Sequence, residues 1–122
     1  MAKIFRFKSA SNLELNRRKA ALLANMSIPA NAVRASCVQQ FLTCGKKNCR
    51  CRRGRKHGPF AYFVQCMGVG RVNKFLLKTP AERKQAKDCI AAYAAFQKQM
   101  EELSQINTEL LHRGLPVNAA LA

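Results

Sequence analysis

Residues 44–60 read CGKKNCRCRRGRKHGPF. These seventeen positions hold three cysteines, one histidine, three glycines and seven basic residues, with no acid. As a loose surface loop the stretch would offer a small chain nothing to fold around. As a metal site it would make a rigid corner between two strands. Exposed free thiols beside this many cations would also be reactive, because nearby positive charge lowers a thiol pKa. The metal reading is therefore the more economical one.

The spacing is Cys44-x4-Cys49-x-Cys51-x5-His57. A Cys3His set is a standard structural zinc site, although C-x4-C lies at the edge of the common short spacing and C-x-C lies outside it. Suppose the segments 36–43 and 60–66 pair antiparallel. Cys44 and His57 then flank the base of the loop, with Cys49 and Cys51 between them. The rival fourth ligands are Cys66 and Cys37. If Thr43 pairs with Phe60, Cys37 lies opposite Cys66, one strand-length from the loop. The two would then be core neighbours, or a pair that closes to a disulfide in a redox-sensing repressor. Cys89 completes the six cysteines and falls on a helix, where it reads as a small apolar residue. The start, MAKIFRFKSA, lacks the apolar stretch of a secretory signal. A reducing, cytoplasmic setting is expected, and there clustered cysteines favour metal over disulfides.

Working outward, SCVQQFLT (36–43) and FAYFVQC (60–66) read as strands. Gly68-Val69-Gly70 reads as a turn, and RVNKFLLK (71–78) as the returning strand of a hairpin. Upstream, Ser11 followed by Glu14 is a capping box that starts a helix near Asn12. Leu15, Leu22, Leu23 and Met26 share its apolar face, Arg17, Arg18 and Lys19 lie largely elsewhere, and Pro29 stops it. Downstream, Thr79-Pro80-Ala81-Glu82 opens a helix and His112-Arg113-Gly114-Leu115-Pro116 closes it. At 1.5 Å per residue that helix is about 50 Å long. Ala86, Cys89, Tyr93, Phe96, Met100, Leu103, Asn107 and Leu110 follow alternating steps of three and four, a heptad seam with one asparagine. A seven-residue strand spans only about 23 Å, so the sheet cannot cover the whole helix. A second copy, meeting it along Tyr93, Phe96, Met100, Leu103, Asn107 and Leu110, is the simplest cover. A different protein docking along residues 86–110 is the alternative.

The expected fold is α+β: an N-terminal helix, a small antiparallel three-stranded sheet with a zinc-knuckle loop, and one long C-terminal heptad helix. The expected segments are a basic arm and helix (1–35), a zinc-binding sheet (36–79), a coiled-coil-like helix (80–113) and a tail (114–122). No apolar run approaches the ~20 residues of a membrane span.

The 122 residues carry a formal charge of +16, and its distribution is uneven. Residues 1–81 hold 17 Lys and Arg against one acid, while residues 82–122 hold five of each sign. A field of that sign gathers polyanions, of which nucleic acid is the commonest in a cell. Lys46, Lys47, Arg50, Arg52, Arg53, Arg55 and Lys56 on the loop, extended by Arg17, Arg18 and Lys19, are the candidate contacts, with DNA favoured over RNA. Phe60, Tyr62 and Phe63 could stack on unpaired bases, although on a hairpin such residues usually form the core. Enzymatic chemistry finds little support. Glu14 is the one acid before position 82, there is no C-x-x-C, and no general base stands near the cluster.

Cys44-Gly45-Lys46, Cys49-Arg50-Cys51 and His57-Gly58-Pro59-Phe60, followed by an aromatic strand and a long helix, resemble a family of small uncharacterised bacterial proteins. Its members carry a C-G-K-x-x-C-x-C…H-G-P-aromatic motif and often sit near mobile elements. The resemblance spans roughly residues 36–111. It implies that Cys44, Cys49, Cys51 and His57 belong to one site. The basic first helix and the extra cysteines fall outside it. The functional expectation is a non-catalytic, zinc-stabilised nucleic-acid-binding accessory or regulatory protein. The alternative is an interaction subunit of a nucleoprotein or recombinase complex that docks through the C-terminal helix.

Overall fold

The computed structural model describes residues 7–118. In chain order they form α1 (Asn12–Asn25), β1 (Ser36–Leu42), a 3-10 turn (Arg50–Arg53), β2 (His57–Gly68), β3 (Arg71–Leu76) and α2 (Pro80–His112). This is the expected α+β architecture. The sheet is antiparallel throughout, in the order β1-β2-β3. The basic arm lies largely in residues 1–6, outside the described residues.

The helix ends form where local chemistry demands. The Glu14 N–H donates to Ser11 Oγ at 3.1 Å, and the Glu82 N–H donates to Thr79 Oγ1 at 3.1 Å. The Glu82 carboxylate in turn accepts the Lys78 N–H, so the start of α2 is closed from both sides. At its end, Leu115 N–H reaches Leu110 O and Gly114 N–H reaches Leu111 O. Gly114 sits at φ 71°. This is the Schellman arrangement, in which a left-handed residue lets two orphan carbonyls find donors.

The chain divides into two compact units, residues 31–93 and residues 1–30 with 94–122, so α2 contributes to both. In the second of these, Phe7, Leu15, Ile106 and Leu110 form the core, and Leu22, Leu115 and Val117 pack against it. Arg113 ties it together. Its guanidinium donates to Glu109, to Asn12 Oδ1 and to the carbonyls of Phe7, Lys8 and Ala10. Two sequence-based assignments change here. Leu110 is fully buried within the monomer, so it is a core residue and not a position on a dimer seam. Lys19 is buried too, with its Nζ donating to Val117 O at 2.7 Å. It follows Leu15 by four positions on the apolar face, and its ammonium snorkels to a carbonyl. It is therefore off the exposed basic surface.

In the unit of residues 31–93, strand pairing sorts the side chains onto two faces. Cys37, Ala61, Phe63 and Phe75 share one face, and Phe63 and Phe75 stack with ring centroids 4.6 Å apart. Phe63 and Leu77 are buried. With Val33, Ala86 and Cys89 they line one hollow, which places the first turns of α2 over this face. The Val33 N–H also donates to Cys89 O. Val38, Gln40, Phe60, Tyr62, Val64, Lys74 and Leu76 share the opposite face.

The register differs from the expected one. Gln40 pairs with Phe60 and Leu42 with His57, with an irregularity between them, and β2 begins at His57. Cys37 therefore opposes Phe63, and Cys66 opposes Val72 on the other face. A Cys37–Cys66 bridge would have to cross the sheet, so the redox-pair reading fails.

Gly58 explains why His-Gly-Pro can enter the strand. It has φ 132°, and a Cβ there would stand 2.7 Å from Gln40 O and 3.1 Å from Phe60 N. Gly58→Ala is expected to destabilise the protein by about 1–3 kcal/mol, the cost of a disfavoured backbone region, or more because of the clash. Urea denaturation beside the parent chain measures it.

Candidate metal centre

The site is assembled from the two sides and the tip of one loop. Cys44 follows β1, and His57 opens β2 where it pairs with Leu42. Cys49 caps the 3-10 turn and Cys51 lies within it. The turn ends on Gly54 at φ 111°, and the chain then swings back toward β2. The three sulfurs and a His57 ring nitrogen all lie within 4.8 Å of one another.

Cys44 Sγ and Cys51 Sγ stand 3.6 Å apart, and Cys49 Sγ lies 3.0 Å from His57 Nε2. A tetrahedral ion with metal–sulfur bonds of about 2.3 Å would set its sulfurs about 3.8 Å apart. The Cys44–Cys51 edge fits that figure. Four soft or borderline donors, three from cysteine and one from histidine, suit a closed structural metal site. Cys51 is buried, Cys44 and Cys49 are half-buried, and His57 is exposed, so the cluster has one dry side and one wet side.

Each sulfur also has a backbone N–H aimed at it. Lys46 supplies Cys44 and Cys51 supplies Cys49. The Cys44 N–H donates to Cys51 Sγ at 3.2 Å. The short spacings C-G-K and C-R-C are thus what lets an amide two residues on face back to each of the first two sulfurs. These bonds favour the thiolate. The Lys46 amide first, then Cys49 and His57, bring the Cys44 thiol down to about 6. At Cys49 the Cys51 amide also pulls down, but the Cys44 and Cys51 thiols and desolvation together push harder the other way, and its thiol is raised. Two thiolates this close repel, and a cation between them relieves that repulsion.

Of the residues singled out in the sequence, Cys44, Cys49, Cys51 and His57 are brought together. Cys37, Cys66 and Cys89 lie outside the cluster as free thiols. Around it Lys46, Lys47, Arg50, Arg52, Arg53, Arg55 and Lys56 are all exposed. Arg52 Nε donates to Lys46 O at 3.2 Å and so braces the loop. Among the described residues none of these seven forms an ion pair. On α1, Arg17 is exposed, whereas Arg18 pairs with Glu102. The seam residues Tyr93, Phe96, Leu103 and Asn107 are half-buried, and Met100 is exposed. Two contributors were missed in the sequence: the backbone amides that hold the sulfurs, and Gly58. The glycine between His57 and Pro59 was the available signal.

Residues 13–74, just over half of the chain, match the model of a family described as a domain of unknown function (DUF6788), and the chain belongs to that family. The match begins within α1, which the motif-based resemblance had set outside, and ends within β3. No curated protein and no solved structure matches the chain. Among the described residues no helix is long and apolar enough to cross a membrane.

Two outcomes are expected. His57→Ala should lower metal retention in elemental analysis of protein purified without chelator, whereas Cys66→Ala should leave it at the parent level. In metal-free protein, Cys44 should react with iodoacetamide along a pH curve with its midpoint near 6. The folded thiol is the lowered one, so its contribution to loop stability is complete above the ordinary thiol range and is lost as pH falls toward about 6. Peptide mapping of the labelled protein gives the curve directly.

Proposed function

We propose that the protein is a non-catalytic, zinc-stabilised nucleic-acid-binding protein, with DNA ahead of RNA as its partner and an accessory or regulatory role. Zinc is the ion of choice because it accepts three thiolates and an imidazole in a tetrahedron without redox chemistry. Three thiolates with Zn²⁺ carry a net charge of −1, and one cation would balance that.

One observation carries the reading. Seven exposed cations stand on a loop ordered by its own cysteines, with no acid among the described residues pairing with them. The unit of residues 31–93 holds 14 Lys and Arg against two acids. Those acids are engaged elsewhere, Glu82 at the start of α2 and Asp88 with Lys84. Arginines fork onto phosphate oxygens, and lysines add point charge. A surplus of this kind costs folding stability through self-repulsion unless a polyanion relieves it. No carboxylate belongs to the cluster, and in this reading the approach of His57 to Cys49 at 3.0 Å is that of two ligands to one ion.

A second reading, docking of a partner protein or a second copy along α2, has Met100 in its favour. That residue is 44% exposed on the apolar seam.

Salt titration separates the two. Binding to a duplex oligonucleotide, followed by fluorescence anisotropy, should weaken with salt at a log–log slope near −0.9 per phosphate neutralised. Reversing Arg52, Arg53 and Arg55 together should weaken binding and flatten that slope by about two to three. Weak binding that the reversals leave unchanged would reject the nucleic-acid reading and favour α2 as the functional surface.

A further inference from the structure

We infer that the sheet face opposite α2 is a stacking platform for unpaired bases, so that the nucleic acid this protein takes is single-stranded. The inference rests on the nucleic-acid reading above and names the form of its ligand.

The sheet divides its aromatic residues by parity. Phe63 is buried on the side of α2, and Phe75 stacks on it while staying 48% exposed. Phe60 and Tyr62 lie on the other face of the same central strand. They are two residues apart, hence about 7 Å along the strand. Both are half-buried, and beside them Val38 and Leu76 on the flanking strands are 37% and 36% exposed. This is a partly open apolar surface with two half-buried rings at its centre.

Charge decides what can cover it. Lys74 belongs to this face. Its ammonium stands 4.6 Å from the centroid of the Tyr62 ring and donates to Gln40 Oε1 at 3.1 Å. At the loop end, Phe60 borders a hollow of about 420 Å³ that Lys46 shares with the candidate ligands Cys44, Cys49 and His57. A second copy of this unit would set like charge against like. A duplex keeps its base faces stacked inside and presents phosphates, sugars and base edges, which leaves the rings without π faces to stack on. A single strand offers both chemistries at once: π faces for Phe60 and Tyr62, and phosphates for Lys74 and the loop. Base–aromatic stacking tolerates any sequence, because every base has a π face. Lys74 sits on a flexible stem. It would give up the ring face to an incoming base and keep its charge for the adjoining phosphate.

The test uses the full chain as purified with its metal. Tyr93→Phe leaves Tyr62 as the sole tyrosine in a chain without tryptophan, so its emission reports on the platform directly. A 20-nucleotide single strand should quench it, and a duplex of the same length at the same salt should not. Phe60→Leu and Tyr62→Leu keep apolar volume and remove the π face. Each should weaken single-strand binding roughly 5- to 150-fold, the range of one stacked base, while duplex affinity and metal content stay at the parent level. Should the leucine variants lose metal, the quenching comparison still decides. Equal quenching by both forms, or none by either while binding persists and the arginine reversals abolish it, would overturn the platform and leave the charged loop as the binding element. A change of oligomeric state in the leucine variants, with oligonucleotide binding intact, would overturn it in favour of a second copy. Absence of salt-sensitive binding to every oligonucleotide would overturn both readings together.

Discussion

Three sulfurs and an imidazole nitrogen held within 4.8 Å of one another are the constraint on which the unit of residues 31–93 depends. The apolar side chains buried there are few: Cys51, Phe63 and Leu77. One of those three is itself a candidate ligand. A sheet of three short strands with so small a core has little hydrophobic burial to hold a loop of fourteen residues between β1 and β2. An ion held by the four side chains would do that work differently. It would join the end of β1, the tip of the loop and the start of β2 at one point, and its binding free energy would become folding free energy. The backbone amides aimed at each sulfur belong to the same device. At Cys44 the amide favours the thiolate, whereas at Cys49 the neighbouring thiols and desolvation outweigh it.

The loop is drawn together by its cysteines and histidine, and its cations take little part in holding it. Arg52 alone among the seven braces the loop by hydrogen bond, through the Lys46 carbonyl. The rest are exposed without partners among the described residues. The contrast with Arg113 is instructive. That guanidinium spends its donors on one carboxylate, one amide oxygen and three carbonyls, and it is half-buried. The same residue type thus serves two ends in one chain. Where acids and orphan carbonyls are near, arginine is cement. Where none is near, it stays exposed to solvent.

Much of this was legible in the sequence, and the reason is locality. Ser11 with Glu14, Thr79 with Glu82, and Gly114 before Pro116 each signal a helix end through contacts three or four residues away. The four ligands were legible because their donor types cluster in fourteen positions. What escaped notice depends on distant partners. The β1–β2 register turned on Gly58, where a missing Cβ lets His-Gly-Pro approach Gln40 O and join the strand, and no periodicity encodes that. Nothing local marks Lys19 as buried, because its partner, the Val117 carbonyl, lies 98 residues away. The heptad spacing through Leu110 correctly marked an apolar stripe. Spacing says only that a stripe must be covered, and at Leu110 the cover is α1 and Phe7 of the same chain.

The register has a consequence beyond the cysteines. A slip of one residue exchanges the faces of a strand, and the aromatic run of β2 places rings at both odd and even positions. With Phe63 committed to the α2 side by its stack on Phe75, Phe60 and Tyr62 must turn the other way. The pairing of Leu42 with His57 fixes that commitment at the base of the metal loop. The ligands and the outward rings are therefore set by one register. A chain that needed only a core could have placed polar residues at positions 60 and 62, as half-solvated antiparallel sheets commonly do. It carries aromatic rings there instead, flanked by Lys74 and the basic loop, so the outer face of this sheet is apolar at its centre and cationic at its rim.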